Sequence, residues 1–411
     1  RMAGHLSTLL RSVVVDPNRP LTNLPLLTDS EQQRLLREFA GSRRSYPVER
    51  TIHALFVETV RSSSDRVAAI HGDLVISYTD LNKRANQIAW SLRAAGLQPN
   101  QPVAILEPRS IDFLAAMLGI LKAGGAFMPV DAQYPADRIR HMLEDSKVTH
   151  LVSRSPLVEE HEFIGNDERI KHVILLDSPV LAQQPMGDPE TVNTSRDLAY
   201  MLYTSGSTGL PRGAMIRHDG AVNHMFGEFD LLEFHADTVF LQSAPASSDI
   251  SVWQFLGPLL KGGRTVIADY ETVCDPVRLF ELIRNAEITL IELVPVLLQE
   301  FLEYVRGLSL DERSLPDLEW AMVTGEAVAV PLVNVWRETY PEVPIVNAYG
   351  PTEASDDTCQ FVVSEELSAD RRSVPIGRPI ANMIHYVLDP QLNLVPIGVP
   401  GEICVSGIGV G

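Results

Sequence analysis

The sequence predicts an α/β fold of layered, mostly parallel sheets flanked by helices, with a small β-rich, barrel-like appendix at its C-terminal end. Three observations predict it. Short β-branched runs alternate with helical patterns from about residue 100 onward. The 411 residues are 45% hydrophobic, enough for a large core shared by two or more packed subdomains. Near the end, the alternation gives way to strands separated by prolines and glycine.

Along the chain, the first 50 residues combine an amphipathic piece (Leu6, Leu9, Leu10, Val13, Val14), a connector carrying Pro17, Pro20 and Pro25, and a second helix around 31–39. They read as an inter-domain linker. Strand-like runs follow at 102–106, 149–152, 172–176, 198–203, 238–241, 265–268, 289–293, 320–323 and 343–346. Helical segments such as 276–285, with apolar Val277, Leu279, Phe280, Leu282 and Ile283, lie between many of them. Strands alternating with helices favour a parallel sheet covered on both faces. Runs at 384–388 and 402–405, with Pro390, Pro396, Pro400 and Gly401 between them, predict an antiparallel or barrel-like end.

Composition excludes several function classes. With 34 basic and 53 acidic residues the formal charge is -19, which argues against nucleic-acid binding and against an anionic membrane surface. Cys274, Cys359 and Cys404 show neither disulfide nor zinc spacing, and a reducing cytoplasm suits them. The longest apolar stretch, at 113–128, is interrupted by Lys122 and glycines and falls short of the roughly 20 residues of a membrane span.

The most informative segment is 204–213. A strand runs into Thr204, Ser205, Gly206, Ser207, Thr208, Gly209, Leu210, Pro211, Arg212 and Gly213. Glycines let the backbone wrap tightly, hydroxyls and amides donate to phosphate oxygens, and Arg212 adds a fixed charge. The spacing is neither a Walker A motif nor a dinucleotide GxGxxG. The plain alternative is a hydroxyl-rich surface loop.

This segment resembles the phosphate-loop signature of the adenylate-forming superfamily, which includes acyl-CoA synthetases, firefly luciferase and the adenylation domains of nonribosomal peptide synthetases. The usual lysine is Arg212 here, which keeps the charge and changes its geometry. Some 140 residues downstream, Asn347, Ala348, Tyr349, Gly350, Pro351, Thr352 and Glu353 are similar to the second nucleotide motif of that superfamily. Residues 121–131 (Leu-Lys-Ala-Gly-Gly-Ala-Phe-Met-Pro-Val-Asp) look like a structural phrase of peptide-synthetase adenylation domains, a helix ending in a glycine turn before a strand. Further matches at 77–81, 323–327 and 401–405 extend the resemblance over about residues 50–411.

The resemblance implies ATP-dependent activation of an amino acid as aminoacyl-AMP, with pyrophosphate released and the aminoacyl group passed to a phosphopantetheine thiol on a carrier domain. It implies that Thr204, Ser205, Gly206, Ser207, Thr208, Gly209 and Arg212 hold the β- and γ-phosphates, with Thr352 near the α-phosphate and Glu353 as the Mg²⁺ ligand. Tyr349 would pack on adenine, with Asn347, Ala348 and Gly350 beside it and the strip Gly325, Glu326, Ala327 across the base. Asp249 would pair with the substrate's α-amino group, although Ser248 stands where the family has phenylalanine; the alternative for this stretch is a helix N-cap. Ile250, Trp253, Val296, Met322, Thr324, Ala348, Asp356 and Asp357 would line the side-chain pocket. The paired aspartates favour a basic or donor-rich side chain; a regular strand would admit only one of them, and a solvated turn neither.

By the same resemblance, residues 1–50 are the linker after a condensation domain, 51–375 the layered core, and 376–411 the start of a β-rich subdomain. A small C-terminal lobe with its catalytic lysine would lie beyond Gly411, so the 411-residue chain is expected to adenylate poorly or not at all by itself. Condensation and carrier domains are the expected partners, with an MbtH-like activator a further one. The competing readings are a stand-alone acyl- or aryl-CoA ligase, against which Asp249 and the 121–131 phrase count, and a catalytically silent nucleotide-binding scaffold module.

Overall fold

The computed structural model describes residues 1–204, 211–368 and 370–411. Strands β1 (Val67–His71) and β2 (Leu74–Ser77) precede a first α/β run of β3 (Pro102–Leu106), β4 (Ala126–Val130), β5 (His150–Ser153), β6 (His172–Leu175), β7 (Leu198–Thr204) and β8 (Arg212–Arg217). A second run comprises β9 (Val239–Gln242), β10 (Arg264–Ile267), β11 (Leu290–Leu293), β12 (Trp320–Val323), β13 (Ile345–Tyr349), β14 (Cys359–Val363) and β15 (Arg378–Pro379), and β16 (Met383–Leu388) and β17 (Glu402–Gly407) close the chain.

Among the described residues these strands form three sheets. The first run makes one of order β6-β5-β3-β4-β7-β8, parallel except for β8. The second sheet has the order β15-β14-β13-β12-β11-β9-β10-β1-β2, a parallel centre edged by antiparallel β2 on one side and β14–β15 on the other. The third is the antiparallel pair β16-β17, so the C-terminal appendix is a two-stranded ribbon and not a closed barrel.

Burial explains why the central strands read as unbroken apolar runs. Alternate residues of the second sheet face two different cores. Phe240, Leu290, Met322 and Val346 join a cluster with the helices Tyr78–Ala94, Ile111–Ala123 and Asp249–Leu256, whereas Leu241, Ile291, Ala321 and Ile345 pack on Pro276–Asn285, Pro295–Arg306 and Val330–Thr339. The first cluster also contains Val103, Phe127 and Tyr200 from the other sheet, so its helices are sandwiched between the two sheets. Met128, Leu151 and Met201 face outward onto the helix Ala136–Asp145. The layers therefore run helices, sheet, helices, sheet, helices.

Close approach within the middle layer depends on a small residue. A Cβ at Gly119 would meet Ile88 Cβ at 2.7 Å, so only glycine allows the helices Tyr78–Ala94 and Ile111–Ala123 this contact. The second of them ends at Gly124, whose φ of 98° is left-handed, with the Gly124 and Gly125 amides donating to the carbonyls of Leu121 and Ile120. An added Cβ at Gly124 would also stand 2.6 Å from Val192 Cγ2. Gly124→Ala is expected to cost about 1–2 kcal/mol of stability, and an unaltered urea-unfolding midpoint would contradict this account of the turn.

The first 50 residues run along the C-terminal ribbon. Thr28 caps the helix Asp29–Arg37 by accepting from the Glu31 amide, and the buried Glu31 carboxylate meets His5 and accepts from the Ile397 amide. The Gly41 amide donates to Met383 O at 3.0 Å, and Asn382 bonds the backbone at Arg44 from both ends of its amide. No helix among the described residues is long and apolar enough to cross a membrane.

Candidate active site

The site forms where the C-terminal ends of the parallel strands meet the turns that follow them, the place where open α/β sheets bind ligands. Strand β13 delivers Asn347, Ala348 and Tyr349, and the chain then turns before returning as β14. In the turn, Thr352–Ala354 form one 3-10 winding, and Ser355 and Asp356 both take left-handed conformations, with φ of 68° and 82°. Gly350 is obligatory in this turn, because a Cβ there would sit 1.9 Å from the Asp356 carbonyl oxygen. The turn borders a cavity of about 320 Å³ lined by Gly325, Glu326, Ala327, Asn347, Ala348, Tyr349 and Gly350. The Tyr349 ring is 39% exposed, free to face a planar ligand, while Asn347 Nδ2 donates to the carbonyls of Val374 and Pro375 and shapes the wall.

The ends of the expected phosphate loop lie beside this turn. Thr204 closes β7 and Arg212 opens β8 as Cα partners in an antiparallel pair; Arg212 is exposed. Ser205, Gly206, Ser207, Thr208 and Gly209 lie outside the described residues. Strand β8 packs against the Thr352–Ala354 winding, and the Gly411 amide donates to Glu353 O at 2.9 Å. The Glu353 side chain is exposed at this junction, as a hard oxygen ligand for a divalent cation has to be.

Asp249 is the first residue of the helix Asp249–Leu256, with Ser248 at the N-cap position. Ser248 makes no capping bond to the helix; its hydroxyl donates to Asp249 Oδ1 at 3.2 Å, and the Ile250 amide donates to the same oxygen at 3.0 Å. The other oxygen, Oδ2, accepts from the Thr352 hydroxyl. One hydrogen bond thus joins the turn expected to meet the α-phosphate to the carboxylate expected to meet the α-amino group.

A second cavity, of about 450 Å³, opens beside Asp249 and is lined by Ser248, Ile250, Glu292, Val294, Leu297 and Thr324 among others. Val296 does not line it. As the second residue of the helix Pro295–Arg306 its side chain points outward and is 57% exposed, while its neighbours Glu292, Leu293, Val294 and Leu297 line the cavity. Met322 and Trp253 are fully buried behind the wall, and the Trp253 indole N–H donates to Glu292 Oε2 at 2.8 Å. Ala348 lies on the other cavity, beside Tyr349.

Asp356 and Asp357 are both buried, so neither belongs to a solvated turn, and the left-handed residues before them remove the strand alternation that would separate them. They meet different neighbours. After burial, the strongest influence on Asp356 is Asp249, whereas Asp357 faces Glu228 and Glu292 and accepts from the Thr324 hydroxyl at 3.3 Å. Burial, then these like charges, push both aspartates well above the usual carboxylate range. Burial and the nearby Glu228 push Glu292 up to about 8, against the opposing bonds from Trp253 and Gln254. Sequence reasoning missed Glu228 and Glu292; the available signal was an acidic residue inside an otherwise apolar segment, which is costly to bury without a cation.

These protons set a pH dependence. A carboxyl with a raised folded value binds more protons folded than unfolded, so its stabilising effect is complete below about pH 4.5 and is lost as pH rises through about 8. Buried His53 and His218 have lowered values, so their opposing contribution comes from unfolded imidazoles titrating near 6.5 and fades above about pH 7.5. The ligand-free chain is therefore expected to lose stability between pH 7 and 8.5, by up to about 1.4 kcal/mol per pH unit for each proton released. Glu292→Gln should flatten that slope in urea titrations, and a wild-type slope that rises with pH would contradict the raised carboxyls.

The chain is 35% identical over 415 residues to gramicidin S synthase 2 of Brevibacillus brevis, and 35% identical over 410 residues to tyrocidine synthase 3 of Brevibacillus parabrevis. All of this chain is covered in both alignments, but it spans only 9% and 6% of those relatives. Among solved structures it superposes on the nonribosomal peptide synthetase FmoA3, in one structure without named ligand and in another as the AMPPNP-bound form. Each superposition has a TM-score of 0.88 and 25% identity, covering 98% of this chain and 42% of that one. The sequence also matches the description "AMP-binding enzyme" over residues 56–411, a span that contains both cavities and the bond between them, and on that match the chain belongs to the AMP-binding enzyme family.

Proposed function

We propose that the chain activates an amino acid as its aminoacyl-AMP, releasing pyrophosphate, for loading onto the phosphopantetheine thiol of a carrier domain in nonribosomal peptide synthesis. The observation that carries this reading is the Thr352–Asp249 hydrogen bond, which brings a nucleotide-side hydroxyl and an ammonium-binding carboxylate to one point. A molecule holding an α-amino group at Asp249 has its own carboxylate directed at the Thr352 turn. Its oxygen can then bond to the α-phosphorus as the bridging P–O bond to the β-phosphate breaks.

In this reading Tyr349 stacks on adenine against the Gly325–Glu326–Ala327 strip, and Asn347, Ala348 and Gly350 shape the base pocket. The cavity these residues line accepts a planar base, and Glu353 stands exposed at its phosphate end, so the residues present fit ATP with Mg²⁺. Thr204, Arg212 and the intervening hydroxyls hold the β- and γ-phosphates, and Thr352 orients the α-phosphate. Bound Mg²⁺ supplies charge neutralisation on the phosphates, and Glu353 anchors it. The buried carboxylates beside the second cavity favour a basic or donor-rich side chain. Condensation and carrier domains, with an MbtH-like protein in addition, are the partners this chemistry calls for, and a reducing cytoplasm suits its three free thiols.

The test, made on a protein that carries this chain together with the small C-terminal lobe and its lysine, is exchange of labelled pyrophosphate into ATP across a panel of amino acids, with coenzyme A-dependent AMP release from acyl and aryl acids as the counter-assay. Exchange that depends on an amino acid is expected. AMP release only with an acyl or aryl acid and coenzyme A would replace this reading with that of a CoA ligase, and nucleotide binding without either activity would leave a silent scaffold.

A further inference from the structure

Beneath the second cavity the fold gathers more carboxylates than adenylation itself requires. Glu228 on the helix His218–Leu231, Glu292 on β11 and Asp357 before β14 are all fully buried. Each has one oxygen already occupied: Glu292 Oε2 by Trp253 and Gln254, Asp357 Oδ1 by Thr324, and Glu228 Oε1 by Gln360. Each also has one buried oxygen without a partner among the described residues: Glu292 Oε1, Asp357 Oδ2 and Glu228 Oε2. His224, one turn before Glu228, sits edge-on to Trp253 and places Nε2 3.5 Å from Glu228 Oε1.

Free acceptors on separate elements call for a donor, and two of these carboxylates, Glu228 and Asp357, come close enough to share one. One atom from each of His224, Glu228 and Asp357 falls within 4.8 Å of the others. Two acceptors at tetrahedral angles around one ammonium nitrogen stand roughly 4.6 Å apart when each hydrogen bond is ~2.8 Å. A guanidinium instead pairs best with both oxygens of one carboxylate, and here one oxygen of each is taken. Ser248 and Ile250, on either side of Asp249, line the same cavity as Glu292 and Thr324, so one small molecule can present one ammonium to Asp249 and a second to this floor. Glu292 and Thr324 line the cavity and connect it to this floor.

The geometry points to an α,ω-diamino acid as the substrate class, its terminal ammonium reaching past Glu292 on the cavity wall to a seat between Asp357 and Glu228, with Glu228 a specificity-determining residue and His224 the positioning residue behind it. This inference rests on the adenylation reading above and narrows its substrate. Discrimination arises on both sides: an ammonium satisfies the free oxygens, whereas a neutral side chain leaves buried polar groups unpaired.

Calorimetric titration of the chain saturated with Mg²⁺ and α,β-methylene-ATP tests it with four probes: L-2,4-diaminobutyrate, L-ornithine, L-arginine and L-norvaline. One of the two diamino acids is expected to bind at least 100-fold more tightly than norvaline and at least 10-fold more tightly than arginine. Glu228→Gln should reduce the preference over norvaline at least tenfold. Norvaline or arginine binding as tightly as both diamino acids would overturn the inference and leave amino-acid adenylation standing. An unchanged preference in Glu228→Gln would remove Glu228 from it. Micromolar Zn²⁺ binding that His224→Ala abolishes, without a diamino-acid preference, would make the cluster a metal site and likewise overturn it. Nucleotide binding with no amino acid bound at all would sink the adenylation reading, and this inference with it. The comparison among probes uses the wild-type chain and does not depend on the folding of any variant.

Discussion

Asp249→Asn is expected to lower kcat/KM for amino-acid-dependent pyrophosphate exchange at least ~100-fold, because truncating one side of a desolvated charge pair costs several kcal/mol. The substitution preserves size and lets Oδ1 go on accepting from the Ile250 amide. It replaces Oδ2, the acceptor of the Thr352 hydroxyl, by a donor, so the link between the two half-sites is broken together with the charge. Nucleotide affinity should stay within about threefold of wild type, since the residues around Tyr349 line a separate cavity. The loss should fall on the amino-acid side, with the largest effect on the α-ammonium: a des-amino acid analogue should discriminate poorly between variant and wild type. Equal exchange by both proteins would remove Asp249 from substrate binding.

Glu353→Gln is expected to lower kcat by about 100- to 1000-fold at saturating substrates, the scale of losing one preorganised group that acts on developing charge. The side chain is exposed and lies at the end of the Thr352–Ala354 winding, so the substitution should leave the unfolding midpoint unchanged. A carboxamide retains one oxygen ligand without its charge, and the Mg²⁺ concentration needed for half-maximal rate should rise accordingly. A normal rate at ordinary Mg²⁺ would show that the carboxylate holds no metal.

Much of the architecture was legible because parallel strands buried on both faces carry unbroken apolar runs. The stretches at 102–106 and 320–323 coincide with β3 and β12, and 276–285 with its helix. Three strands were not legible: β2 and β8 lie at sheet edges and β14 next to one, and all three are only partly buried, so that the apolar Leu74 and Val75 of β2 stand exposed. The barrel-like ending was over-read from proline and glycine spacing, which marks turns without fixing how many strands pair.

The site divides along similar lines. Residues 347–350 of one motif and 325–327 of another fall on one cavity because a strand end and its following turn bring neighbours in sequence together in space. The pocket floor is assembled from distant segments. The strand expected at 289–293 coincides with β11, but Val296, taken from the resemblance as a pocket residue, is exposed on the following helix while Glu292, Val294 and Leu297 face the cavity. Glu228 reaches the site from a helix that no motif marks, and the burial of both Asp356 and Asp357 depends on two consecutive left-handed residues that the sequence does not announce.

In the proposed function one aminoacyl-adenylate spans both cavities through the Thr352–Asp249 junction. The most direct test is the affinity of a sulfamoyl analogue of the aminoacyl-adenylate, made with the preferred amino acid, compared by calorimetry with AMP and that amino acid measured separately. The account predicts that the joined molecule binds at least 1000-fold more tightly than AMP, because the second half binds without a second loss of translational freedom. An analogue that binds no better than AMP, with the amino-acid half still free to bind elsewhere, would contradict it.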